Sequence, residues 1–188
     1  MLSNKSAPVI LILSGPSGVG KTTLSTALIE ADPGTVIAVS HTTRPSRPGE
    51  IDGEDYHFVS KSKFLELVKN GEMLEYAEVY DHLYGTSRDS LQQSLEKRKN
   101  VILDIDWQGA RNVKAIYPEA VSVYILPPTE HETEKRLISR QQDTADVIKS
   151  RMSTYKEQAS HQHEYDHTIV NDKLSDATRQ LVRILHFG

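Results

Sequence analysis

One stretch constrains this chain more than any other: Gly15-Pro16-Ser17-Gly18-Val19-Gly20-Lys21-Thr22, one residue after the apolar run Val9-Ile-Leu-Ile-Leu13. It fits the pattern G-x-x-x-x-G-K-[ST], in which small residues let the backbone curl and point its N–H groups at phosphate oxygens. Lys21 would set a point charge beside the outer phosphates, and the Thr22 hydroxyl would ligate Mg²⁺. The flanks agree. The five apolar residues read as a buried parallel strand, and Leu24, Ala27, Leu28 and Ala31 recur at helical spacing behind the loop. Strand, loop and helix N-terminus together make an anion site.

Composition narrows the rest. A chain of 188 residues can bury one substantial α/β core with insertions but is short for two. With 22 Lys and Arg against 26 Asp and Glu, its net charge of −4 argues against bulk nucleic-acid binding, so any phosphate must meet a local basic cluster. The absence of cysteine excludes disulfides and thiolate metal sites. No apolar run has the length of a membrane span, and Val9–Leu13 is too short for a signal-peptide core, so a cytoplasmic location is expected.

Val36–Val39 predicts a second strand, after which Ser40–Asp55 turns polar and is broken by prolines and glycines. Arg44 and Arg47 each precede a proline, which stiffens the loop that presents them. Alone, the pair reads as two solvated arginines; beside a phosphate loop it reads as a device for bidentate phosphate capture. Tyr56–Val59 predicts a short strand. Ser60 would cap a helix burying Phe64, Leu65 and Val68 and ending at Gly71. As a strand, Met73–Tyr80 would put Met73, Glu75, Ala77 and Val79 on one face, with Glu75 its only charge and in need of a partner unless it meets water at a sheet edge. Asp81–Thr86 reads as a loop leading into a helix from Ser87, with Leu91 and Leu95 inside.

Val101–Asp106 predicts a buried strand with Asp104 and Asp106 two apart at its carboxyl end, where open α/β sheets bind ligands. A further helix from Trp107 and a strand Val121–Leu126 follow. Thr129 and Glu132 make a capping box, and Arg136 and Arg140 share a face of the helix they open. Asp143 would cap the next helix, whose inner stripe, Val147, Ile148, Arg151, Met152 and Tyr155, carries an arginine where an apolar residue belongs. Three arginines on one helical hairpin suggest a lid that closes over phosphates, against ordinary pairing such as Glu132 with Arg136. His161–His167 reads as a solvated polar segment, not a metal site. Thr168–Asn171 is the last strand and Leu174–Phe187 the last helix, with Ala177, Leu181, Ile184 and Leu185 inside.

The alternation predicts a parallel, doubly wound α/β sheet with two inserts, the layout of a phosphoryl transferase whose acceptor is itself phosphorylated. Across residues 8–187 the chain resembles the guanylate kinase family, close to its bacterial form. The resemblance is carried by Gly15–Thr22, Ser40–Glu50, Asp55-Tyr56, Tyr84–Ser87, Ile102–Gly109 and Ile169–Asp172. It implies a P-loop nucleoside monophosphate kinase fold in one domain over 1–188, with a core of 8–39, 91–128 and 166–188, a GMP-binding insert of 40–90 and a lid of 129–165. It implies phosphoryl transfer from ATP to GMP or dGMP with Mg²⁺. On the same resemblance ATP meets Gly15 to Thr22 and Asn171, and Thr22 holds the metal. Arg44, Arg47, Tyr56 and Tyr84 hold the GMP phosphate. Ser40, Glu75, Thr86 and Asp104 or Asp106 surround guanine. Lys21, Arg47, Arg136, Arg140 and Arg151 carry the catalytic charge. Gln141 departs from the glycine usual in relatives. Two other activities fit parts of the pattern, a non-catalytic binding module of this type and a kinase for a phosphorylated sugar; the first commonly lacks a working phosphate loop, and the second has no use for a guanine-reading carboxylate.

Overall fold

The computed structural model describes residues 7–139 and 144–187. Its core is a five-stranded, wholly parallel sheet in the order β2 (Thr35–Ile37), β7 (Asn100–Asp104), β1 (Ile10–Ser14), β8 (Val121–Leu126) and β9 (His167–Val170). Alternation along β1 builds two cores at once. Leu11 and Leu13 face Leu24 and Leu28 of α1 (Lys21–Ala31) and Ala177, Leu181 and Leu185 of α8 (Leu174–Phe187). Ile10 and Ile12 face Leu91 of α3 (Arg88–Glu96) and Ala110 and Val113 of α4 (Trp107–Ile116). Each such aliphatic side chain contributes roughly 1.5–3 kcal/mol on burial, so both faces of β1 are committed. The expected doubly wound sheet is present.

Residues 41–87 form a second sheet, ordered β4 (His57–Phe58), β3 (His41–Thr42), β6 (His82–Ser87) and β5 (Met73–Val79), covered by α2 (Lys61–Lys69). It has a core of its own in Phe64, Leu67, Met73 and Leu83. Three sequence expectations change here. Asp81–Thr86 is not a loop: β6 pairs antiparallel with β5 from Val79↔His82 onward. The connecting turn is Tyr80-Asp81, both at positive φ (50° and 64°), a two-residue hairpin without the glycine that usually announces one. Met73 does not share Glu75's face, because a bulge between them re-aims the strand and sends Met73 to the core under α2. Leu65 is 49% exposed; the buried stripe of α2 is Phe64 and Leu67, three apart. Ser60 does cap that helix, accepting from Lys63 N–H.

Beyond β8 come α5 (Glu130–Ser139), α6 (Ala145–Ser153), α7 (Tyr155–Ser160) and a short 3₁₀ turn (His161–Glu164). Thr129 opens α5 by accepting from Glu132 N–H, and Thr144 caps α6 through Val147 N–H. Arg140, Gln141 and Asp143 lie outside the described residues. The stripe expected on α6 is not buried: the helix has no buried residue, and Val147 is 40% exposed. Nor is His161 solvated. It stacks on Trp107 at 4.0 Å between ring centroids and hydrogen-bonds Glu164, which also takes Arg111 bidentately. Among the described residues no helix is long and apolar enough to cross a membrane, and no three His, Asp or Glu side chains gather as a metal site.

Candidate active site

The phosphate loop runs from the end of β1 into α1, and its shape comes from glycine. Gly20 sits at φ 93° and a Cβ there would stand 2.7 Å from Asn171 Nδ2, so backbone angle and space both demand glycine. Gly20 also leaves α1 without a side-chain cap, whereas Ser60, Ser87 and Asp106 cap α2, α3 and α4. The leading N–H groups of α1 are thus kept for an anion. Lys21 Nζ donates to Gly15 O at 3.0 Å and lies 3.8 Å from Asp104 Oδ1. Burial raises the Asp104 carboxyl's pKa above its usual value, against the pull of the neighbouring ammonium.

A cleft of about 230 Å³ separates the two sheets. Gly15, Ser17, Gly18, Gly20, Lys21 and Thr22 line it from the loop side, with Asp104, Asp106 and Arg151. Ser40, Arg44, Arg47, Tyr56, Glu75 and Tyr84 line it from the insert. Residues from distant parts of the chain, Ser40 and Arg151 among them, therefore face one another across one cleft.

Glu75 is 5% exposed, and its Oε1 accepts from Thr86 N–H at 2.8 Å. The Thr86 hydroxyl in turn lies 3.2 Å from Ser40 Oγ. Burial pushes the Glu75 carboxyl up to about 7; the Thr86 hydrogen bonds resist this and the Asp106 charge adds to it. The sheet-edge alternative, a carboxylate in water, is thus excluded. Asp104 and Asp106 part company: the strand ends at Asp104, and Asp106 caps α4 by accepting from Gly109 N–H at 2.9 Å while still bordering the cleft.

The two arginines of the polar loop are not simply solvated. Arg44 is 9% exposed and bound bidentately by Glu50, at 2.9 and 2.7 Å, with its guanidinium 5.4 Å from the Tyr56 ring centroid. Glu50 also accepts from Arg47 N–H at 2.6 Å, so one carboxylate sets both positions. Burial raises the Glu50 carboxyl's pKa, but Arg44 and that N–H more than offset it and hold it below the usual range. Tyr56 and Tyr84 meet edge to face at 6.0 Å. Glu50 was legible only as a motif member; its role appears once the loop folds back on itself.

Two expected nucleotide contacts stand behind the loop instead of inside the cleft. Asn171 is buried, with Nδ2 donating to Val19 O at 2.8 Å. Arg136 donates to Val19 O at 3.2 Å and Asn171 O at 3.0 Å, and pairs with Glu132 at 3.5 Å. Arg151, the misfit of α6, does reach the loop: Nη1 donates to Ser17 Oγ at 2.9 Å. Cleft residues that sequence reading did not assign to the site include Tyr80, Tyr124 and Gln158. Each looks like an ordinary strand, turn or helix residue, and nothing in its spacing marks it.

A sequence model of the guanylate kinase family, described as "Guanylate kinase", matches residues 7–187. The chain belongs to that family. It is 48% identical over 179 residues to the guanylate kinase of Maricaulis maris, covering 95% of this chain and 82% of that one. The crystal structure of guanylate kinase from Anaplasma phagocytophilum superposes with a TM-score of 0.80 at 36% identity, covering 96% of this chain and 86% of that one. The shikimate kinase of Bacteroides thetaiotaomicron, at 18% identity and a TM-score of 0.56 over 95% of this chain and 99% of that one, shares the fold alone. The phosphate-loop residues Lys21 and Thr22 both line the cleft.

Proposed function

We propose that this protein is a guanylate kinase, transferring the γ-phosphoryl group of ATP to GMP or dGMP. The single observation that carries the reading is Glu75: a buried carboxylate aimed into the cleft opposite a complete phosphate loop. Guanine offers N1–H and its exocyclic amine side by side as donors, where adenine has a bare N1; an acceptor-only carboxylate selects the first and repels the second. Ser40, Thr86 and Asp106 complete the base site in this reading. Arg44, Arg47, Tyr56 and Tyr84 take the GMP phosphate.

Gly15 to Thr22 wrap the ATP phosphates, and Lys21 offsets the charge that spreads over the transferred group. Arg151 adds charge from the lid, a role the family resemblance also gives to Arg140. Asn171 and Arg136 act through the loop, whose Val19 carbonyl oxygen both hold. The Thr22 hydroxyl and Asp104 are hard oxygen donors at the cleft, a set that suits Mg²⁺, which commonly keeps waters and substrate phosphates as its other ligands. When bound, the ion would neutralise charge on the β- and γ-phosphates. The chain's own contribution is to bring acceptor and donor into line and exclude water. On this view the insert of 40–90 and the lid of 129–165 divide the binding between them around one core, and the reaction belongs to purine nucleotide metabolism in the cytoplasm.

ADP formation from ATP and Mg²⁺, with GMP, AMP, CMP and UMP tested in parallel, decides the matter. Turnover confined to GMP and dGMP is expected. Equal turnover with AMP removes the argument from Glu75.

A further inference from the structure

Tyr80 occupies the first turn position of the β5–β6 hairpin at φ 50°, where Asn or Gly is ordinarily found. A bulky residue held there is strained, and such strain persists where the surroundings over-determine it. The surroundings do so here. The Tyr80 hydroxyl lies 3.0 Å from Thr154 Oγ1, between α6 and α7, and accepts from Gln158 Nε2 at 3.2 Å. Gln158 Oε1, at the other end of the same carboxamide, accepts from Ser17 N–H of the phosphate loop at 3.3 Å. The ring faces the Arg151 guanidinium at 5.5 Å, and Arg151 binds the Ser17 hydroxyl. Tyr124 fixes the Gln158 backbone by donating to its carbonyl oxygen.

We infer that Tyr80 is a positioning residue that ties the tip of the insert to the phosphate loop through Gln158 and Arg151. The inference rests on the cleft being the meeting place of ATP and GMP, because only then do insert, lid and loop need a shared register. A carboxamide relays position because its two ends have opposite polarity: with Nε2 held by the Tyr80 and Thr154 hydroxyls, Oε1 must face Ser17 N–H. Movement of the hairpin thus reorients an N–H donor of the anion loop and the guanidinium beside it. A misplacement of this kind affects the transferring geometry more than ground-state binding.

The test uses the full chain and three variants. Solvent exchange of the Ser17 amide, read by NMR in the unliganded protein, needs no activity and therefore separates this inference from the proposed reaction. Tyr80→Phe should speed Ser17 exchange about threefold or more while the Ile12 amide is unchanged, and Gln158→Leu should do so at least as strongly. In turnover, Tyr80→Phe should lower kcat about tenfold with both KM values within about threefold, and the double variant should be no worse than Gln158→Leu alone. Tyr80→Asn relieves the turn, so it should keep Tm at or above the parent's and still lose kcat. Unchanged Ser17 exchange in Tyr80→Phe overturns the inference, as does a double variant whose losses multiply. A Tyr80→Asn chain that loses Tm together with kcat marks Tyr80 as packing only and overturns it too.

Discussion

Glu75 Oε2 packs so closely on Gly109 that a Cβ built there would overlap it; Glu75 Cδ and Ile105 Cβ would stand at 3.1 and 3.3 Å. Gly109 is inside α4, where alanine is favoured over glycine by about 1 kcal/mol. Local propensity and the site therefore pull in opposite directions. Gly109→Ala should hold or raise the helix's intrinsic stability yet displace the Glu75 carboxylate, raising KM for GMP by about tenfold or more while KM for ATP stays level. Steady-state kinetics with a thermal melt checks this, and an unaltered KM for GMP would show that the carboxylate has room to spare.

Glu75→Gln keeps the shape of the side chain but faces a guanine donor with a donor. A loss of about 2–3 kcal/mol in GMP recognition is expected, and AMP should lose much less because its N1 can accept from the new amide. The ratio of kcat/KM for GMP over AMP is the quantity to follow.

The same carboxyl sets a pH dependence. In the folded chain its pKa is raised to about 7 by burial, so near neutrality it exists in both forms, and only the ionised form can accept from both guanine donors. GMP affinity, expressed relative to Glu75→Gln so that titration of the GMP phosphate cancels, should rise with pH up to about 7 and then level off, with a proton released on binding. The sign for stability is opposite. A raised carboxyl favours the folded chain at pH below its unfolded value, and that advantage is lost as pH climbs to about 7. Calorimetry in buffers of different ionisation enthalpy reads the proton count directly.

Glu50 holds Arg44 by two hydrogen bonds and Arg47 by its backbone. Glu50→Gln leaves a largely buried guanidinium short of its counter-ion and should cost roughly 2–3 kcal/mol of stability. It should also weaken GMP more than guanosine, since the arginines lose their aim towards the phosphate. Denaturant melts and competition binding with the two ligands separate these effects.

Lys21→Ala removes a charge from the phosphate loop without touching the insert. Turnover should fall by two or more orders of magnitude with GMP affinity nearly intact. Calorimetric loss of GMP binding in this variant would mean that the two halves of the cleft are not independent.

Much of this architecture was legible because short-range rules were obeyed. The runs at Val9–Leu13, Val101–Asp106 and Val121–Leu126 read as buried strands and are found as β1, β7 and β8, and the glycines with Lys21-Thr22 read as an anion loop. Caps at Ser60 and Thr129 announced their helices because a hydroxyl satisfies nearby N–H groups. Glu75 was conspicuous because a lone carboxylate among apolar residues must find a partner. What the chain's local pattern could not contain was the second sheet's detail. Tyr80-Asp81 turns a hairpin without glycine, and the bulge at Met73 reverses the side-chain alternation; both are imposed by pairing across the strands. The placement of Arg136 behind the loop, of His161 on Trp107, and of Gln158 between Tyr80 and Ser17 joins residues 54 to 141 positions apart, distances over which no periodicity survives. Those contacts exist only because the parallel sheet carries β1, β7 and β8 to one edge of the cleft and the insert folds back to face them, so their chemistry was decided by tertiary structure alone.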